Sequence, residues 1–578
     1  MQITGADLVI KALKKEKVDT LFAYPGGQVI DIFHSLFKET AFRVIVPRHE
    51  QGLIHAADGY ARSTGKVGVC LVTSGPGAAN LVTGIATAQY DSVPLVCFTG
   101  QVPTALMGKC AFQEVDIVRV TKSICKHAVM VRRREDLART IKEAFVTARS
   151  GRPGVVVVDL PKDIQRAYGS GEYPDETIFK SGTGDFFWNA VQADQTARAW
   201  QVLKSARRPV FLVGGGVNIA HAQEEMTRLA ERTGVPVLTT IMGKGAISSS
   251  HPLYVGNIGI HGSFAANHAL HCCDVLFAVG TRFNDRIAAN ADTFAKETVV
   301  IHIDIDQTVI SRNVAADISI VADAKRAVRE LIEMAEPLEC SGWLDKIQDE
   351  KREHPVDMGN TGLTPQAVME AINNHFTDAI IATDVGQNQM WATQFLELDS
   401  GRQMLTSGGM GTMGYGLPAA VGAKIGNPEK DVLVVSGDGG IQMNIQELAT
   451  AVCQELPLII CILNNSCLGN VRQWQELFYD GCYSWTCMRY RKSCPAVCDW
   501  TDAECPEYVP DFIRLAQSYG ARGIRVTRKD GIDEALAEAK RSNTLPTVIE
   551  FRIEREANVL PIVPPGKALN NMVRTPPG

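Results

Sequence analysis

Short apolar runs and longer amphipathic stretches alternate along the whole chain. Val67–Val72, Val155–Val158, Val210–Val213, Val299–Ile303, Ala379–Thr383, Val432–Val435, Leu458–Leu463 and Thr547–Phe551 are rich in β-branched residues and mostly bounded by Gly, Asp or Pro. Runs that stay apolar without alternating predict strands buried on both faces. Between them, stretches such as His221–Arg232 and Asp323–Glu336 repeat apolar residues at helical spacing. The alternation predicts an α/β fold of doubly wound parallel sheets with helices on both faces. Two irregular segments divide it: Tyr168–Gly184, rich in Gly, Ser, Asp and Pro, and Glu350–Pro365, polar with a proline near each end. Three domains are expected, at 1–175, 190–345 and 362–555, followed by a Pro/Gly-rich tail at 556–578. The first and third share a general α/β texture, without a period-level repeat.

Composition narrows the function classes. A chain of 578 residues exceeds what one core serves, and 45% hydrophobic with 21% charged residues excludes a disordered or fibrous protein. Against 64 acidic side chains stand 58 basic ones, so the net charge of −6 gives no footprint for nucleic acid. No apolar run approaches the ~18 residues of a membrane span. The opening MQITGADLVI carries no basic leader, so a cytoplasmic location is expected. Among the fifteen cysteines, Cys70, Cys97, Cys125, Cys272, Cys273, Cys453 and Cys461 sit in apolar text and read as small reduced hydrophobes. Cys482, Cys487, Cys494, Cys498 and Cys505 differ. The last four are separated by six, three and six residues in text without apolar periodicity, which predicts a loop. Cys487, Cys494, Cys498 and Cys505 could close a structural metal site; the other reading is a surface lid with reduced or reversibly oxidised thiols.

The strongest chemical signal lies in the third domain. The strand Val432–Val435 runs into the turn Gly437-Asp438-Gly439-Gly440, then a helix pattern over Ile441–Gln454, then the strand Leu458–Leu463 ending in Asn464-Asn465. Asp438 and Asn465, 27 residues apart, therefore stand at the carboxyl ends of two strands, where open α/β sheets bind ligands. Oxygens from Asp and Asn suit a hard cation, and glycines at a helix amino end let a diphosphate approach. In the first domain, Glu50 of Pro47-Arg48-His49-Glu50-Gln51 sits at a strand-to-helix edge, where a carboxylate is also explained by the helix dipole alone.

GDG, a gap, then NN resembles the signature of the thiamine-diphosphate enzymes, and the resemblance extends over essentially the whole chain. It implies pyrimidine-binding, central and diphosphate-binding domains in that order. It implies that Asp438, Asn465 and the backbone carbonyl of Cys467 hold Mg²⁺ against the cofactor diphosphate, with Gly437, Gly439, Gly440, Gln387 and Asn388 around it. Glu50 would be the cofactor-activating glutamate, a carboxyl that favours the imino tautomer of the aminopyrimidine ring. In Gly408–Gly414, the Gly411 carbonyl would receive the amino group and Met413 would wedge the cofactor into its bent shape.

The central domain resembles that of the acetohydroxyacid synthases. Val213-Gly214-Gly215-Gly216, Ile260-His261-Gly262, Gly280-Thr281-Arg282-Phe283-Asn284-Asp285-Arg286 and Ile303-Asp304-Ile305-Asp306 carry the likeness, with Asp323 and Arg152. It implies that Arg152, Gly214, Gly215, Gly216, His261, Gly262, Arg282, Arg286, Asp304, Ile305 and Asp323 cradle FAD. On the substrate side, Gly26, Phe112, Gln113, Lys126 and Trp474 fall in segments similar to the family's active-site loops. Gln113 and Lys126 would line the channel, and Trp474 would shape the pocket for the second 2-oxo acid; beside Phe478 it could equally be a core aromatic. Three residues depart from the pattern: Asn388 for a usual His, Asn470 for a Met and Asn284 for an Asp.

The resemblance implies a transferase that decarboxylates pyruvate and condenses the two-carbon unit with a second pyruvate or with 2-oxobutyrate, in branched-chain amino-acid biosynthesis. A homodimer or homotetramer is expected, because the family joins the glutamate and the metal site across two chains, with a small regulatory subunit besides. The alternatives are another FAD-containing carboligase, a pyruvate oxidase, or a non-catalytic homologue that keeps the fold.

Overall fold

The computed structural model describes residues 2–174, 190–290, 292–359, 362–399, 403–495 and 505–575, with the side chains of 190 and 191 left aside. Three six-stranded sheets follow one another along it, and every pairing within them is parallel. The first contains β1 (Thr20–Ala23), β2 (Arg43–Ile45), β3 (Gly68–Val72), β4 (Leu95–Gln101), β5 (His127–Met130) and β6 (Val155–Pro161). The second contains β7 (Pro209–Val213), β8 (Val237–Thr239), β9 (Tyr254–Asn257), β10 (Val275–Val279), β11 (Val299–Asp304) and β12 (Ile318–Val321). The third contains β13 (Ile380–Thr383), β14 (Gln403–Leu405), β15 (Val432–Gly437), β16 (Ile459–Asn464), β17 (Arg522–Val526) and β18 (Thr547–Arg552). The central strands are buried from end to end, as their continuous apolar text requires.

Strand order positions the chemistry. The first sheet runs β2-β1-β3-β4-β6-β5 and the third β14-β13-β15-β16-β18-β17, so both have the order 2-1-3-4-6-5. The texture they share is thus one topology used twice. Their order reverses between β1 and β3 and between β13 and β15, which is where open sheets leave a crevice for a ligand. The second sheet runs β9-β8-β7-β10-β11-β12, the order 3-2-1-4-5-6 of dinucleotide-binding sheets. Its reversal lies between β7 and β10, the strands that lead into Gly214–Gly216 and into Gly280–Arg286.

The first and third domains pack through helices α1 (Glu50–Thr64) and α2 (Gly416–Gly426). Their backbones nearly touch: a Cβ on Gly59 would lie 2.0 Å from the Ala419 carbonyl oxygen, and one on Gly422 1.8 Å from that of Ala56.

Three stretches depart from the sequence reading. Tyr168–Ser170, inside the first irregular segment, pairs antiparallel with Gln2–Thr4. The second irregular segment begins inside a helix, Ser341–Glu353. The helix pattern over Ile441–Gln454 breaks into Asp438–Ile441 and Glu447–Cys453, and the interruption lets the Asn444 amide donate to the Gly414 carbonyl at 2.8 Å. The tail returns to the central domain, where Val563 N–H donates to the Ile260 carbonyl (2.8 Å) and Val563 and Leu569 join its core.

Candidate active site

At the carboxyl edge of the third sheet, Asp438 is fully buried and its Oδ2 has no hydrogen-bond partner. Burial pushes its carboxyl up to about 7, against hydrogen bonds that include one from the Asn465 backbone N–H. Asn465 Oδ1 accepts from Cys467 N–H (3.2 Å), while its Nδ2 donates to Gln387 Oε1 (3.0 Å). A buried carboxylate oxygen without a hydrogen-bond donor is the exception among buried polar groups, and such an oxygen suits a hard cation. Gln387 is held in turn, its Nε2 donating to Gln473 Oε1 and to the Ala557 carbonyl, both at 3.0 Å. Asn388 spends its Nδ2 on the carbonyls of Asp384 (2.9 Å) and Val435 (3.0 Å). These two amides brace the strand ends. A Cβ on Gly439 would meet Leu468 at 3.0 Å and the Met413 methyl at 3.5 Å, so both side chains stand over the GDG turn.

Two carboxylates outside the sequence motifs hold the Gly408–Gly414 loop. Asp384, at the end of β13, accepts the N–H groups of Val385 (2.8 Å), Gly414 (2.9 Å) and Gly416 (3.3 Å). Burial raises it to about 6. Asp91, from the first domain, accepts Gly408 N–H (3.1 Å), Gly409 N–H (2.8 Å) and the Arg62 guanidinium (3.0 Å). Arg62 also pairs with buried Asp58 (2.7 Å), which accepts from Tyr415 Oη (2.6 Å). No motif marks them in the sequence; for Asp384 an acidic residue just after a strand was the one available hint, and Asp91, between a helix and a strand, offered none.

In the first domain, Glu50 opens α1 and accepts Asn80 Nδ2 at 2.9 Å. The chain just before it is fixed from the third domain, where Glu447 accepts Arg48 N–H (3.0 Å) and His49 N–H (3.1 Å). Gly26 and Gln113 crowd the same edge: a Cβ on Gly26 would collide with Thr73, and Gln113 packs on Gly75. Phe112 is 84% exposed. The Lys126 ammonium is taken by the carbonyls of Thr147 (2.6 Å), Ser150 (2.5 Å) and Arg152 (2.8 Å), and burial with nearby Arg152 pushes it down to about 8. These three carbonyls hold the ammonium against the Thr147–Arg152 turn.

A cavity of about 1530 Å³ runs from the central domain to the third. Arg152, Gly215, Gly216, His261, Arg282, Arg286, Asp304, Ile305 and Asp323 line it, together with Gly411, Asn470 and Trp474 at the other end. Gly214 and Gly262 do not: a Cβ on Gly214 would lie 2.2 Å from the Gly280 carbonyl and one on Gly262 2.7 Å from that of Asn257, so both are close-packing glycines. Asp323 also caps the helix Ala324–Met334. His261 Nδ1, Thr281 Oγ1 and Asn284 Oδ1 are buried in this wall without a partner. Burial pushes Asp304 up to about 6 and His261 down to about 4. Trp474 faces the cavity while meeting Phe478 edge to face at 6.0 Å, so it is both a wall and a packing aromatic.

Among the described residues, no three His, Cys, Asp or Glu side chains gather as a metal site. Cys498 lies outside the described residues. Cys487 is instead paired in a β-bridge with Cys467, and Cys494 Sγ accepts Arg491 N–H.

Comparison with known proteins agrees with this geometry. Models of the thiamine pyrophosphate enzyme N-terminal TPP binding domain, central domain and C-terminal TPP binding domain match residues 3–120, 196–331 and 384–551. The chain is 43% identical to a probable acetolactate synthase large subunit of Methanocaldococcus jannaschii, over 99% of this chain and 95% of the relative. It is 42% identical to the acetolactate synthase large subunit of Corynebacterium glutamicum (98% and 89%) and 41% identical to that of Cyanidium caldarium (99% and 96%). With matching domains in the matching order and full-length likeness to these relatives, the chain belongs to the thiamine pyrophosphate enzymes, in the family of acetolactate synthase large subunits.

Proposed function

We propose that this chain is the catalytic large subunit of an acetolactate synthase. It would decarboxylate pyruvate and join the two-carbon unit to a second pyruvate or to 2-oxobutyrate, the first common step of branched-chain amino-acid biosynthesis. The observation that carries the reading is the continuous cavity from Gly215, Asp304 and Asp323 to Gly411, Asn470 and Trp474.

Thiamine diphosphate, when bound, supplies the electron sink that lets a 2-oxo acid lose CO₂ and form a new carbon–carbon bond. Asp438, Asn465 and the Cys467 carbonyl suit Mg²⁺, as the unpartnered Asp438 Oδ2 supports. The GDG turn at Gly437–Gly439 takes the diphosphate, and Gly411 and Met413, in the loop that Asp384 and Asp91 hold at either end, grip the organic ring. FAD fits the central part of the cavity, where His261, Thr281 and Asn284 each keep a buried polar atom unpaired. Its place is structural, with no redox step in the overall reaction. Trp474 bounds the acceptor pocket, where one methylene is worth about 1–3 kcal/mol of selection.

Glu50 acts as the carboxyl that moves a proton at the aminopyrimidine. It stands in the first domain, at the start of α1, and the Asp438 site in the third, so on this reading the active unit is a homodimer in which each chain offers Glu50 to the other. Gln113 and the exposed Phe112 then meet substrate at that junction, and Lys126 steadies the nearby loop. A small regulatory subunit and a cytoplasmic location complete the reading; no described helix is long and apolar enough to cross a membrane.

The test is acetolactate formation from pyruvate by purified protein with thiamine diphosphate, Mg²⁺ and FAD. Cofactor-dependent product, from protein that is yellow as purified, is expected. Oxygen-dependent release of acetyl phosphate would make it an oxidase, and no turnover with intact cofactor binding would make it a non-catalytic homologue.

A further inference from the structure

The thiol groups of the paired cysteines beside the metal loop have no part in the reaction above. Cys467 and Cys487 are directly opposed in an antiparallel bridge. The hydrogen bonds Leu468 N–H to Thr486 carbonyl and Met488 N–H to Ser466 carbonyl, both 2.9 Å, flank them on either side. That pattern makes Cys467–Cys487 a non-hydrogen-bonded pair, the kind that brings opposed residues closest, with Cα atoms about 4.5 Å apart and both side chains on one face. Disulfides span Cα separations of about 4.4–6.8 Å, so the pair sits at the short end of what the bond accepts. Cys467 is 3% exposed while Cys487 is half-buried, so one sulfur can be reached from outside and the other only through its neighbour. Cys70 and Cys97 also face each other, across β3 and β4, but both are fully buried and out of an oxidant's reach.

We propose that Cys467 and Cys487 are a redox modification site, closing to a reversible disulfide that ties the segment after Trp485 to the metal loop. The oxidant is a small-molecule disulfide such as oxidised glutathione. The Cys487 sulfur attacks one glutathione sulfur and the other leaves as a thiol; the Cys467 sulfur then attacks Cys487 and the second glutathione leaves. Two electrons pass from the protein thiols to the glutathione pair, which also ends with the two thiol protons. The same exchange run backward by an excess of a small thiol reopens the bond. Once closed, residues 486–488 cannot separate from 466–468, and the loop that follows Asn465 loses its freedom to move apart from the segment around Cys487.

Peptide mapping tests this without reference to turnover, so it stands or falls separately from the acetolactate assay. Full-length protein is treated with oxidised glutathione, free thiols are alkylated, and non-reduced digests are analysed by mass spectrometry. A cross-linked pair of peptides holding Cys467 and Cys487, two hydrogens lighter than its parts and split by dithiothreitol, is expected. Cys487→Ser should abolish it and Cys494→Ser should leave it. A Cys487 that stays free, stops at the glutathione adduct, or links only to Cys482, Cys494, Cys498 or Cys505 would overturn the proposal.

Discussion

Asp91→Asn tests the clamp between the first domain and the glycine loop. The wild-type carboxylate is completely buried and accepts three donors: Arg62 and Gly408 N–H on Oδ2, Gly409 N–H on Oδ1. Asparagine has the same shape but one acceptor oxygen and an NH₂ group. Its better orientation keeps the oxygen on Arg62 and Gly408 and turns the NH₂ toward Gly409, leaving one buried N–H without a partner. That costs about 1–3 kcal/mol, and loss of charge on the remaining bonds adds about 1 kcal/mol. Arg62 keeps Asp58, so the guanidinium is not stranded. The sum is about 2–4 kcal/mol at the interface between domains. Urea unfolding at fixed protein concentration should show the midpoint lowered accordingly. Thiamine diphosphate titration should show at least a tenfold weaker Kd, about 1.4 kcal/mol, because Gly411 rides on the loosened loop. Combined with Arg62→Met, the losses should fall short of additive, since the two side chains share an interaction. Stability within about 0.5 kcal/mol of wild type with unchanged cofactor affinity would refute the reasoning.

Other substitutions address single roles. Glu50→Gln keeps the hydrogen bond to Asn80 but not the acid–base chemistry, so acetolactate turnover should fall about 10²–10⁴-fold; near-normal turnover would remove Glu50 from that role. Asp438→Ala removes the charged oxygen from the cation site, and calorimetry should find Mg²⁺-dependent binding of thiamine diphosphate abolished; intact affinity would dismiss the site. His302 is buried, and burial depresses it from about 6.5 to about 4. Below pH 6.5 the unfolded chain takes up a proton that the fold refuses, so stability from this group is present above pH 6.5 and drains away toward pH 4. Against His302→Gln, wild type should lose up to about 1.4 kcal/mol more per pH unit across that window, read from urea midpoints; parallel pH profiles would rule it out.

Eight of the strands were legible because parallel sheets bury both faces, and the apolar runs read from the hydrophobic pattern coincide with them to within three residues at either end. The GDG and NN ends were legible for the same reason, since they interrupt such runs. The local text could not show which side chains the fold then spends on itself. Lys126 is surrounded by loop carbonyls, and Asn388 by carbonyls at two strand ends; both are tertiary facts. Asp91, Asp384 and Glu447 escaped notice because each acts on backbone N–H groups distant in sequence, where no spacing rule operates. The Ile441–Gln454 periodicity was real, yet the Asn444 side chain wins a partner at Gly414 that a continuous helix would deny it.

The returning tail has a consequence for biosynthesis. Val563 and Leu569 complete a core whose strands begin at Pro209, and the Asn290 amide closes on the Gly566 carbonyl. Domains commonly fold as units while the chain is still being made, those made first folding first. The first sheet, complete by Pro161, can do so; the central one cannot finish until the third domain and the segment around Ile562–Val573 have been synthesised. Until then its wall near Ile260 and Leu270 is an open apolar surface, a place for chaperones to bind, and the segment carrying Val563 and Leu569 acts as its seal.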